Sequence, residues 1–240
     1  MSTGRVKLLS EETPHVLIAN TKPVSVNVMN QNGLLEESRQ AAISGIKDMI
    51  ALTDAKIKIA DLDNWKTDHY KSADDQYIPY RSVNWYLQIA KYYSRNENQL
   101  NADIMIDSLL MKPKHNNPHC DIILVHDDIY SKNTNFVIGL ALAGVGAIIS
   151  VHRFRGLDEQ TRRQCIKTET MHELGHVFGL IPAQRTMCID ENLGMHCINK
   201  CIMRQGTNVP HDWITITNDR LEYGPLCLLC QADLKNIFSR

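Results

Sequence analysis

The stretch Met171–Met203, MHELGHVFGLIPAQRTMCIDENLGMHCINKCIM, decides how the rest of the chain is read. His172 and His176 are four residues apart, so on a helix their rings leave the same face and can grip one ion. Glu173 lies beside them, placed to polarise a water on such an ion and carry its proton. With ten histidines and ten glutamates in 240 residues, a His-Glu-x-x-His run arises by chance only about twice in a hundred chains of this make-up. Gly179 stands where a helix carrying these residues would end in a left-handed turn.

Working upstream, the helical pattern extends back to Asp158, a suitable N-cap. Before it, the apolar run Phe136 to Val151 is shorter than the roughly 20 residues a membrane helix needs, and three glycines interrupt it. It reads as two buried strands, FVIGLALA and AIISVHRF, with a glycine turn between them. DIILVHDDIY (121–130) reads as a buried strand entering an acidic loop. QLNADIMIDSLLM and NWYLQIAKYYSRN show helical spacing, with Pro113 stopping the former. Residues 63–81 are polar and aperiodic, as in a surface loop. VSVNVMN (24–30) and KIKIADL (56–62) alternate as strands on either side of an amphipathic helix over 35–52, which predicts a parallel pair with a crossover helix.

Downstream, residues 180–225 are expected to be irregular and CQADLKNIF to close as a short helix. Cys197 and Cys201 pair in sequence, as do Cys227 and Cys230, whereas Cys120, Cys165 and Cys188 stand alone. The two pairs have zinc-knuckle spacing with a longer gap, and four thiolates closing a tetrahedron make a structural zinc site. Such use of cysteine suits a reducing compartment better than disulfides do. The N-terminal residues lack the apolar core of a secretory signal, so cytoplasmic residence is expected. A formal net charge of −1 provides no drive toward nucleic acid or anionic membrane. Basic residues around the cysteines (Lys200, Arg204, Arg220) are interleaved with acidic ones. Neither kind of partner is expected.

These residues resemble the archaemetzincins, a branch of the metzincin zinc peptidases. The pattern His-Glu-x-x-His-x-x-Gly-x-x-His-Cys, a further Cys, a Met two residues later and a distal Cys-x-x-Cys is matched here by HELGHVFGL, HCINKCIM and CLLC. HDDIYSKNTNFVIGLALAGVGAIISVHRF also resembles the segment before the family's active-site helix. The likeness covers about residues 121–238. It implies that His172, His176 and His196 hold a catalytic zinc and that Glu173 is the general base. Met203 would be the Met-turn residue, and Cys197, Cys201, Cys227 and Cys230 would hold a second, structural zinc.

Two departures accompany the likeness. Pro182 occupies the usual place of the third histidine, and the His-Cys pair comes fourteen residues later, as though 181–195 were an inserted loop. One residue fewer separates Cys197 from Cys201. Asp190, Glu191, Cys188 and His211 compete with His196 for the third-ligand role, and a Cys188 thiolate on zinc would keep the enzyme latent. The expected fold is α+β and metzincin-like: a twisted mixed sheet with helices in 1–179, and an irregular zinc-bound subdomain in 180–240, together forming one catalytic domain. The expected function is peptide hydrolysis through a zinc-activated water, on a peptide bound along the strand near 135–143. The alternative is an inactive, zinc-stabilised module that binds protein.

Overall fold

The computed structural model describes residues 22–63, 83–110, 119–132, 134–192 and 194–239. Strand β1 (Ser25–Asn30), helix α1 (Glu36–Ala51) and strand β2 (Lys58–Asp63) form the expected crossover, with β1 and β2 parallel. Helix α2 spans Val83–Tyr92. Helix α3 spans Ala102–Leu110 but is preceded by a short strand, β3 (Gln99–Asn101), where helical spacing alone predicted continuous helix. Leu100 is buried in this strand, so long-range pairing with β5 (Asp128–Tyr130) overrides the local pattern. The segment 121–130 accordingly divides into β4 (His119–Val125) and β5. Apart from Asp63, the stretch 63–81 lies outside the described residues, as does Pro113.

Strands β6 (Gly139–Leu142) and β7 (Gly146–Ser150) complete a five-stranded sheet ordered β2-β1-β4-β7-β6. Four strands run parallel, and β6 is antiparallel to β7 at the edge. Both faces of the sheet are covered, which is why β4 and β7 read as almost continuous apolar runs. On one face Val26, Val28, Ile122, Leu124, Ala147 and Ile149 pack into a core with α1 and with α4 (Glu159–Phe178). On the other, Met29, Ile123, Val125 and Ile148 pack with α2 and α3.

Helix α4 starts where Asp158 accepts a hydrogen bond from the Thr161 amide at 3.0 Å. It ends at Gly179, whose φ of 85° is left-handed, with Leu180 N–H bonded back to Gly175 O at 2.9 Å. Beyond it, the region 180–225 is less irregular than its composition predicts. It holds a two-residue ladder, β8 (Ile189–Asp190) with β9 (His196–Cys197), and a full helix, α5 (His211–Tyr223). The β-branched, polar sequence of α5 conceals the Trp213, Ile216 and Arg220 face that is buried in the fold. Helix α6 (Leu228–Ser239) closes the chain. Among the described residues no helix is long and apolar enough to cross a membrane.

Candidate metal centres

The second half of α4 is buried nearly all round, although Thr168, Glu169, Thr170, His172 and Glu173 are among its buried residues. Polar groups in such a place need partners or a task. Nδ1 of His172 lies 2.6 Å from Ile202 O, and Nδ1 of His196 lies 3.0 Å from Gly194 O. A carbonyl only accepts, so both Nδ1 atoms carry the proton and both Nε2 atoms present lone pairs. His176 Nε2 comes to 3.2 Å from His172 Nε2. One ligand atom from each of His172, His176 and His196 lies within 4.8 Å of the others.

Burial pushes all three imidazoles below their ordinary pKa, His176 to about 3. They are therefore neutral at physiological pH, and converging neutral nitrogens are the donor set that a divalent cation fits. Trp213 stands edge-on to His172, with ring centroids 5.2 Å apart. Asp190 and His196 pair in register across β8–β9. Asp190, Glu191, Cys188 and His211 are not in the three-histidine set.

Gly175, on the turn between the two helical histidines, lets Met203 in: a β-carbon there would lie 2.5 Å from the Met203 sulfur and 3.1 Å from Leu180 Cδ1. Met203 is wholly buried. Its carbonyl accepts from the Cys197 amide at 2.8 Å, fixing the chain beneath the histidines.

Glu173 is buried beside the histidines, and Glu169, one turn earlier, is fully buried. Glu169 is a site neighbour that sequence reasoning missed, because a helical glutamate reads as solvent-facing. Its four-residue spacing from Glu173 was the available signal. Both carboxylates crowd the edge strand at Gly139, where a β-carbon would fall 2.5 Å from Glu173 Cδ and closer still to an oxygen of each acid. Neither oxygen of Glu169 has a hydrogen-bond partner among the described residues. Burial raises Glu173 to about 8, and burial with the neighbouring Glu173 charge raises Glu169 well above the carboxylate range.

A second set lies next door. The sulfurs of Cys197, Cys201, Cys227 and Cys230 are all within 4.8 Å of one another, and none is in a disulfide. Cys197 and Cys227 are 3.7 Å apart, and Asn199 Nδ2 donates to Cys227 at 3.5 Å. Hydrogen bonds from Cys201 and Cys230 pull the Cys197 thiol far down, and those two thiols are raised in turn. Four clustered sulfurs at this separation fit a tetrahedral thiolate site for zinc. His196 and Cys197, consecutive on β9, face one set each.

A mostly parallel sheet with an antiparallel edge strand, a histidine-bearing helix behind it and a chain that returns beneath that helix define a metzincin-like fold. The crystal structure of archaemetzincin from Methanopyrus kandleri superposes with a TM-score of 0.61 over 91% of this chain and 97% of that one, at 20% identity. The malonate complex of archaemetzincin from Archaeoglobus fulgidus gives 0.54 over 87% and 99%, at 19% identity. In sequence, the archaemetzincin of Nanoarchaeum equitans is 32% identical over 117 residues, covering 49% of this chain and 55% of that protein. The A. fulgidus protein is 39% identical over 83 residues, 34% of this chain and 43% of that protein. The chain thus spans about half the length of these curated relatives. No family model matches it. In sequence and in fold the chain is similar to the archaemetzincins.

Proposed function

We propose that this chain is a zinc metallopeptidase in which His172, His176 and His196 hold the catalytic ion and Cys197, Cys201, Cys227 and Cys230 hold a second, structural one. The observation that carries the reading is the convergence of three neutral histidines beside Glu173, against the outermost strand of the sheet. Zinc held there would supply Lewis acidity to a peptide carbonyl and to water. Glu173 takes a proton from the attacking water and passes it to the leaving amine nitrogen. Its carboxyl is raised by burial to about 8, and a cation held by the histidines would lower it again by favouring the carboxylate. Met203 supports the histidine floor. A peptide added as a strand along β6 would run past Gly139 and hence past Glu173.

The two segments 1–179 and 180–240 act as one catalytic domain, the second supplying His196 and the cysteines. Seven free cysteines support a cytoplasmic setting. The test is digestion of a peptide library by the wild type and by Glu173→Gln, with zinc content measured on both. Cleavage by the wild type alone, at equal zinc, supports the proposal. Identical, uncleaved libraries would leave a zinc-stabilised protein-binding module.

A further inference from the structure

Loop 181–195 separates the two halves of the histidine set, and one of its side chains is buried against the other centre. The Arg185 side chain is only 7% exposed. Its Nη1 donates to Cys230 Sγ at 3.3 Å and to Asp233 Oδ2 at 2.9 Å, its Nη2 to Cys197 Sγ at 3.4 Å, and its Nε to Met187 O at 2.9 Å. One guanidinium thus straddles sulfurs from β9 and α6 while bracing its own loop. Asp233, one helical turn beyond Cys230, orients it from behind. The Arg185 amide also closes a turn on Pro182 O at 2.8 Å.

Four thiolates around a divalent metal carry two net negative charges into a place where Cys197, Cys201 and Cys230 are essentially inaccessible. Such charge is costly without a nearby cation and N–H donors. Arg185 is the cation whose donors are given to the sulfurs, and its planar fork reaches two of them at once, as an ammonium cannot. We propose that Arg185 is the outer-sphere cation of the four-cysteine metal centre, and that through it the metal holds residues 181–192 in place. The loop then carries β8 into register with β9, setting Asp190 opposite His196. Arg185 is a positioning residue: it acts on the histidine set through the cysteine set. The inference rests on reading the four cysteines as a metal site.

The experiment uses the full chain loaded with cobalt(II), whose thiolate charge-transfer band reports the cysteine centre alone. Arg185→Met and Arg185→Lys are compared with wild type for the band position and for the rate at which a chelator abolishes it. Chymotryptic nicking at Met187 is followed before and after metal removal. The expected result for Arg185→Met is a shifted band and metal loss about 10- to 100-fold faster, with Arg185→Lys in between. Wild type should be nicked at Met187 only once metal is gone. A wild-type band and off-rate in Arg185→Met overturn the proposal, as does a metal-free wild type whose loop stays protected. If Arg185→Met fails to fold, a wild-type off-rate in Arg185→Lys overturns it equally. A wild type with no charge-transfer band overturns the metal reading of the cysteines itself, and this inference with it.

Discussion

Gly139→Ala is the sharpest probe of the carboxylate pair. Gly139 does not have a left-handed φ, so alanine costs nothing in backbone strain and removes unfolded-state entropy, a gain of about 0.4–1 kcal/mol. Against this, the new carbon would lie 2.5 Å from Glu173 Cδ, roughly 1 Å inside ordinary contact. Neither acid retreats easily, since both are walled in by the core. Overpacking of this kind costs about 1–3 kcal/mol, leaving a net destabilisation of up to about 2.6 kcal/mol. A Glu173 displaced by about 1 Å should lower kcat/KM about 100-fold, with zinc content unchanged. Urea unfolding at fixed zinc concentration, in a cycle with Glu169→Ala, isolates the cause. Removing the Glu169 carboxylate makes room, so the double variant should recover about 1 kcal/mol relative to additivity. Free energies that add within about 0.5 kcal/mol, or a Gly139→Ala protein at least as stable as wild type, would refute the crowding.

Elemental analysis of His196→Ala should show one zinc fewer per chain than wild type, the cysteine centre keeping its own. Unchanged zinc would move the third ligand elsewhere. Metal-free protein should lose stability as pH rises from about 7.5 to 8. In that window Glu173, raised to about 8 in the fold, holds a proton that the unfolded chain has already released, while His176, depressed to about 3, is neutral in both states. Thermal unfolding across this range should give a falling Tm, flattened in Glu173→Gln, and a rising Tm would contradict it. The histidines act in the opposite sense, withdrawing stability as pH falls from about 6.5 toward 3. Asp158→Ala removes the N-cap bond to Thr161 and should lower Tm by about 2–4 °C for a chain of this size. No change would mean that water replaces the cap.

The parallel β1–α1–β2 unit, the start and stop of α4, and the nearness of His172, Glu173 and His176 were legible because each depends on local periodicity or a terminal cap. That His196 comes to meet them was not, since the nineteen residues between it and His176 can fold back in many ways. Family likeness pointed there, with the adjacency of His196 to Cys197 in support. α5 escaped because its buried face is Trp213, Ile216 and Arg220 set among threonines and an aspartate, a pattern that only tertiary packing makes helical. β3 escaped because three residues pairing with β5 leave no period to read. The burial of Glu169 depends on α4 being covered on both sides, by α1 on one and by β6 and β7 on another, and Gly139 records that coverage only to a reader who knows what it faces.

Helix α4 has a thermodynamic asymmetry. Its buried acids and imidazoles occupy positions where leucine, alanine or valine would bury area without the desolvation that ionisable groups suffer. On the proposed reading, apolar replacement at 173 would give a chain that folds more firmly but lacks the group assigned to proton transfer. For this helix, robustness and chemistry therefore pull in opposite directions, and a stabilised variant selected by heat alone would be expected to find its gains where activity is lost.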